Sequence, residues 1–496
     1  MINRSSGLLL NISSLPSDFG IGGFGWEFKE TCDFLVKCGF HCWQTLPITS
    51  IGEGNSPYSS QSAFALNFLY INPYALRDKG WISETDAQNS RIYDGGYFVN
   101  YPEVYQRKLE VLTRAYANVK NDIIADLKVF EITKRWVSDY AMFKTIAQLE
   151  NGKVWWKWDE KYRDITKIDR ANFVSENFDK YYYFVFEQFV CDEQWSWCRQ
   201  IAGQNEIKIV GDIPMYVCHN SADVWSSPQS FLLDGNFMPT KVAGVPPDYF
   251  CAEGQLWGNP LYDYKAMSKT GYGWWMKRFD RMFELYDVLR IDHFRAFAEF
   301  WAVDVAETTA KNGKWHKGVG MDMLSVAIDK FGVDSFIAED LGIVDDKVTA
   351  LLKQTGLSGM RVMQFGFEDG DSIHLPHNFE PNCVAYTATH DNNTTFGWLC
   401  GLSHNIRDYA LRYVGCDVSG WNRGGFDCPS VKAFVKTLLS SCAKLTFTPI
   451  QDLCGFGEDC RMNTPGRADG NWTFRVTRQS MNDCDSGYYC YLNNLF

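Results

Sequence analysis

The feature that most constrains this chain is the alternation of short apolar runs with longer helix-like stretches along its 496 residues. Alternation of this kind predicts βαβ units wound around a parallel sheet. The strand candidates are Gly7 to Leu15, Phe40 to Ile48, Ile207 to Val217, Val288 to Phe294, Ser335 to Gly342, Met360 to Phe367, Cys383 to Asp391 and Lys444 to Leu453. They number eight, which closes a barrel of alternating strands and helices. The expected class is therefore α/β: a (β/α)8 TIM barrel over 1–496, with helical insertions between strands. The stretch after Asp452 is shorter than the ~50 residues of a small domain, so no C-terminal β-sandwich is expected.

The strands are unevenly spaced. Residues 51–205 are far too many for one crossover, and they contain helix-like segments from Tyr105 to Asn118, Asn121 to Glu150 and Phe178 to Ala202. They read as a largely helical insertion subdomain. Residues 219–264 are rich in Gly, Pro and aromatics and lack periodicity, which reads as an active-site loop insertion.

Net charge is −12 at pH 7. An acidic chain does not offer the basic face that nucleic acid or an anionic membrane surface requires. No run approaches the roughly 18 apolar residues of a membrane span, and near the start only Leu8-Leu9-Leu10 is continuously apolar, too short for a signal-peptide core. The 16 cysteines include no C-x-x-C pair. In a chain this long they read as free thiols, which points to the cytoplasm. Eighteen Trp residues serve either core packing or stacking on flat apolar ligand faces.

Three of the strand candidates run into acids: Val288-Leu289-Arg290-Ile291-Asp292, Phe336-Ile337-Ala338-Glu339 and Ala385-Tyr386-Thr387-Ala388-Thr389-His390-Asp391. The C-terminal ends of barrel strands open onto the face where chemistry occurs. Carboxyl groups gathered there suit exchange of a glycosidic bond, which needs two of them flanking it. Arg290 shares a strand face with Asp292 and can keep it ionised, as a nucleophile requires. Glu339 lies in an apolar setting that raises a carboxyl toward general-acid use. The bland alternatives are a structural ion pair for Asp292, a solvated acidic pair for Glu339 with Asp340, and a helix N-cap for Asp391. Gly20-Ile21-Gly22-Gly23-Phe24-Gly25 matches G-x-G-x-x-G, but the next strand ends in Leu46-Pro47-Ile48 rather than an acid, so it reads as a tight turn. No metal-ligand cluster stands out, and no metal or cofactor is expected.

Longer strings then carry a resemblance. Ser56-Pro57-Tyr58-Ser59-Ser60, Gly211-Asp212-Ile213-Pro214, Gly254-Gln255-Leu256-Trp257-Gly258-Asn259-Pro260, Gln451-Asp452-Leu453 and Arg461-Met462-Asn463-Thr464-Pro465-Gly466 occur in order along the whole chain. On these strings it resembles the 4-α-glucanotransferases (amylomaltases, or disproportionating enzymes), relatives of the α-amylases. The resemblance implies Asp292 as nucleophile, Glu339 as general acid/base and Asp391 as the third carboxylate, with Arg290 and His390 in support. It implies Asp212 and Tyr58 at the donor sugar, Trp257 with Tyr249 and Phe250 on a covering loop, and Tyr101 at a second glucan contact. The implied partners are α-1,4-glucans and maltooligosaccharides, handled by a monomer or homodimer. Val217-Cys218-His219-Asn220 and Asn11 depart from the family pattern. The competing functions are an α-1,4-glucan hydrolase and a catalytically inactive glucan-binding protein.

Overall fold

The eight expected strands all form, and in the order of the chain each lies beside the next. They are β1 (Ser5–Leu9), β2 (Cys42–Gln44), β3 (Lys208–Ile213), β4 (Val288–Ile291), β5 (Phe336–Ala338), β6 (Ser358–Val362), β7 (Cys383–Tyr386) and β8 (Leu445–Pro449). All pairings are parallel, and β8 pairs with β1 to close the barrel. This computed structural model describes residues 4–93, 96–247, 252–467 and 469–496.

Alternation along each strand sorts the side chains. Val210, Val288, Ile337, Met360, Val384 and Phe447 belong to the apolar cluster that fills the barrel. Leu289 and Ile291 belong to the larger core shared with the outer helices, such as Gly273–Leu285 with its buried Trp275, Phe279 and Met282. Two residues further along the inward face the filling turns polar: Asp212 follows Val210 on β3, and Arg290 follows Val288 on β4. The β3–β4 register sets Asp212 directly beside Arg290.

Each ladder ends earlier than the apolar pattern suggests. β4 stops at Ile291, β5 at Ala338 and β7 at Tyr386, each before its acid. The N–H groups of Asp292 and Glu339 still bond to the Ile213 and Ile291 carbonyls, and the backbone turns away beyond them. After Asp292 it passes through His293 at φ 49 into a 3-10 turn over Phe294–Phe297.

Within residues 51–205 the chain forms helices Tyr101–Thr133, Trp136–Leu149 and Phe178–Gln204. The first runs through the polar stretch around Lys120 instead of stopping there. The break falls at Lys134, whose φ −112 and ψ 73 are not helical. The third helix holds the chain that follows β2: Gln188 accepts from Leu66 N–H (2.8 Å) and donates to its carbonyl (3.0 Å). Gln194 does the same for Asn72, at 2.7 and 3.2 Å.

The stretch 219–264 is not only loop. Lys241–Val245 and Gln255–Pro260 pair antiparallel, and Glu299–Asp304 with Lys314–Lys317 extend them to a four-stranded sheet. Its two outer strands, Gln255–Pro260 and Lys314–Lys317, are short and largely exposed, and its later strands lie beyond β4, so local periodicity carries no sign of it. The glycine motif is a packed turn: Gly20 has φ 72, and a Cβ on Gly22 would lie 2.0 Å from the Ile12 carbonyl oxygen. Among the described residues no helix is long and apolar enough to cross a membrane.

Candidate active site

Arg290 is the hub of the barrel mouth. One guanidinium nitrogen, Nη1, donates to Asp212 Oδ2 at 2.6 Å and to Asp292 Oδ1 at 3.0 Å. Tyr58 OH donates to the same Asp212 oxygen at 2.8 Å. On the far side of Asp292, the His293 N–H donates to Glu339 Oε2 at 2.7 Å, and Leu341 N–H donates to Glu339 Oε1 at 2.9 Å. The left-handed backbone at His293 is what turns its N–H onto Glu339; strain of this kind persists where surrounding contacts fix it.

A second run of contacts reaches Asp391. The Tyr58 ring stacks on His390 with centroids 5.3 Å apart and an interplanar angle of 13°. His390 Nε2 lies 3.4 Å from Asp391 Oδ1, and Asn463 Nδ2 donates to that oxygen at 2.6 Å. Asp391, His390, Tyr58, Asp212, Arg290, Asp292, His293 and Glu339 thus form one continuous chain of contacts around the barrel mouth, so the three strand-end acids meet at one place.

The electrostatics follow from burial. Glu339 is pushed up to about 8, first by burial and then by the negative charge of Asp292, against the opposing Arg290 cation and the two backbone donors. It therefore holds a proton at neutral pH. Asp212 is pushed up to about 7, again mainly by burial. Asp292 is also raised by burial; the Arg290 cation is the largest force against this, and the charge of Asp391 adds to the rise. One cation thus faces two carboxylates. The Asp212 side chain is 0% exposed and that of Asp292 29%, so burial weighs more heavily on Asp212, while Asp292 is paired with Arg290 and open to the mouth. His390 and His293 are both shifted down by burial, His293 to about 3, so the imidazoles are neutral.

Trp257 stands on the Gln255–Pro260 strand, 38% exposed, with its ring edge-on to His293 at 4.9 Å. The four-stranded sheet therefore brings an aromatic wall to the residue next to Asp292. Tyr249 and Phe250 lie outside the described residues.

Tyr101, which the resemblance set at a second glucan contact, is turned inward. It is only 8% exposed, and its hydroxyl donates to the Trp472 carbonyl at 2.9 Å. Trp472 in turn packs beside Tyr58 (5.7 Å) and His390 (6.0 Å), so Tyr101 braces the site from behind. Of the departing positions, His219 lies flat on Trp156 at 3.9 Å, and Asn11 donates to Ser13 Oγ at 2.6 Å.

Two contributors were not singled out from sequence. His293 follows Asp292 and adjoins Trp257; its place in the run Ile291-Asp292-His293 was the available signal. Asn463 holds Asp391 from a segment 72 residues further along the chain. It sits inside a quoted motif string, but only the fold reveals its partner.

Comparison with known proteins gives the family. A family model described as 4-alpha-glucanotransferase matches residues 10–480. The chain is 40% identical over 476 residues to the 4-alpha-glucanotransferase of Aquifex aeolicus, covering 95% of each chain. It is 39% identical over 474 residues to that of Clostridium butyricum, covering 94% of this chain and 95% of the relative. Among solved structures, the amylomaltase from Streptococcus agalactiae in complex with acarbose superposes with a TM-score of 0.94 at 34% identity, covering 99% of both chains. The chain belongs to the 4-alpha-glucanotransferase family and is an enzyme of that activity.

Proposed function

We propose that the enzyme transfers α-1,4-glucan segments between maltooligosaccharides with retention of configuration, through a covalent glycosyl-enzyme on Asp292. The observation that carries this reading is the pairing of Asp292, held by the Arg290 cation, with a Glu339 raised to about 8 beside it. Retaining glycoside chemistry needs one carboxylate as nucleophile and one carboxylic acid as proton donor. The Streptococcus agalactiae relative was solved in complex with acarbose, which supports an oligosaccharide ligand for this enzyme.

In the first half, an Asp292 oxygen attacks the anomeric carbon of the donor, the bond to the leaving 4-oxygen breaks, and Glu339 gives that oxygen its proton. Asp292 is now an ester and carries no charge. The repulsion that helped to raise Glu339 is gone, so its carboxyl falls toward the ordinary range and becomes a base. In the second half, Glu339 takes the proton of an acceptor 4-hydroxyl, whose oxygen attacks the anomeric carbon and releases Asp292. Two inversions retain the α configuration. Asp391, held by Asn463 and His390, would bind sugar hydroxyls and offset the positive charge of the oxocarbenium-like transition state. Tyr58, Asp212 and Arg290 would hold the donor ring. Trp257 would stack on the acceptor and exclude water, favouring transfer over hydrolysis.

Cellular setting follows from the thiols. Cys454 and Cys484 remain thiols although their sulfurs lie 3.5 Å apart. That supports a reducing, cytoplasmic location.

Incubation with maltotriose tests the reading. Transfer yields glucose and longer maltooligosaccharides with the number of reducing ends conserved. Growth in reducing ends in step with maltotriose consumption would instead make the enzyme a hydrolase, and absence of any product would make it a glucan-binding protein.

A further inference from the structure

Asp452 is a buried carboxylate that the mechanism above does not use. It lies just past β8, in the short helix Ile450–Leu453, and is 1% exposed. All the donors recorded for it come from one loop. Thr387 Oγ1 and Thr395 Oγ1 each donate to Oδ2 at 2.6 Å, and the Thr395 N–H donates to Oδ1 at 2.7 Å.

Thr387 is the residue that follows β7, and Thr395 begins the helix Thr395–Gly401. Asp391 stands midway between them. One carboxylate therefore ties together the two ends of the loop that presents His390 and Asp391. Capping of the following helix accounts for the Thr395 N–H bond alone, beside the Thr394 hydroxyl that accepts from Gly397 N–H at 3.0 Å, and leaves the two threonine hydroxyl bonds unexplained. The tip of the loop is held separately. Asn463 N–H donates to the His390 carbonyl at 3.1 Å, and Arg461 Nη2 donates to the Asp391 carbonyl at 3.0 Å.

We propose that Asp452 is a positioning residue for the transfer reaction: a buried clasp that closes the base of the 387–395 loop and so fixes Asp391 and His390 against the donor sugar. The proposal rests on the role given above to Asp391. A carboxylate suits the task because it accepts several hydrogen bonds and donates none, and bonds to a charged acceptor are the strong ones. Asparagine at this position keeps the size but puts an NH2 group where one of the accepting oxygens stood. The loop can then relax at its base while the barrel beneath stays packed. Displacement of a reacting group by about 1 Å costs on the order of 100-fold in rate.

The test compares Asp452→Asn, Thr387→Val and Asp391→Asn with the parent in maltotriose disproportionation, with far-UV circular dichroism to establish folding. Asp452→Asn should lower kcat about 100-fold, and Thr387→Val, which removes one clasp bond and keeps the carboxylate, about 10-fold. The KM for glucose as acceptor should stay within about twofold of the parent, because the loop faces the donor. Parent-like kcat in either folded variant, or a glucose KM that rises in step with the loss of kcat, overturns the clasp. If Asp452→Asn does not fold, Thr387→Val decides alone. Asp391→Asn separates the two claims: full activity there removes the role of Asp391 itself, whereas loss of activity there with an active Asp452→Asn removes only the clasp.

Discussion

Replacing Glu339 by Gln removes the only proton that the proposed first half-reaction draws on. A positioned general acid contributes about 10²–10⁴-fold, or about 2.7–5.5 kcal/mol of barrier. With its carboxyl at about 8, Glu339 is roughly nine-tenths protonated at pH 7, so nearly the whole effect is lost on substitution there. Maltotriose disproportionation should fall by at least 100-fold. A donor whose leaving group needs no proton, such as α-maltosyl fluoride, separates acid catalysis from general damage. The variant should release a burst of fluoride equal to its active sites and then stall, because no base remains to activate the acceptor. The parent enzyme should lose kcat/KM above about pH 8 as Glu339 deprotonates, and the variant should lack that limb. Equal losses on both donors, with no burst, would refute the reasoning, as would retention of the alkaline limb in the variant.

The same shift predicts stability. A carboxyl raised in the folded state binds its proton more tightly there than in the unfolded chain, so its contribution is full below about 4.5 and declines as pH rises toward 8. Glu339→Gln should therefore melt higher than the parent at pH 8 and show little difference at pH 4.5, with a ceiling of about 4 kcal/mol; calorimetry across that range giving parallel melting curves would contradict this. Tyr58→Phe deletes the hydroxyl that donates to Asp212 at 2.8 Å. Its kcat/KM for maltotriose should fall by about 10-fold, the worth of one hydrogen bond, and an unchanged value would remove Tyr58 from the donor site. Trp257→Ala should raise the ratio of hydrolysis to transfer, read as new reducing ends per glucose transferred; a constant ratio would end the proposed shielding role.

The barrel was legible because each strand is a run of apolar residues between polar stretches, and a strand buried on both faces needs such a run. The strand ends were not. Regular pairing gives way at Asp292 and Glu339, whose N–H groups still bond to the Ile213 and Ile291 carbonyls, and Asp391 stands five residues past β7, so the point where each segment leaves the barrel has no local signal. Arg290 was readable from its spacing to Asp292, since residues two apart share a strand face. Its second bond, to Asp212, depends on the β3–β4 register and has no local signal. Asn463 and Asp452 act across long stretches of sequence and become visible only when β7 and β8 lie side by side. The sheet that carries Trp257 was hidden because Gln255–Pro260 and Lys314–Lys317 are short, polar and paired over long range. The direction of Tyr101 had no local signal either: an aromatic at a helix start can face solvent or core, and here it is turned inward onto Trp472.

The central claim is that Asp292 takes the glycosyl group. In Glu339→Gln incubated with α-maltosyl fluoride, the ester should accumulate and be found by mass spectrometry of the intact protein. Digestion should place the added maltosyl mass on the peptide holding Asp292. An unmodified protein that nonetheless releases fluoride in a burst, or a label on Asp212 or Asp391, would contradict the account.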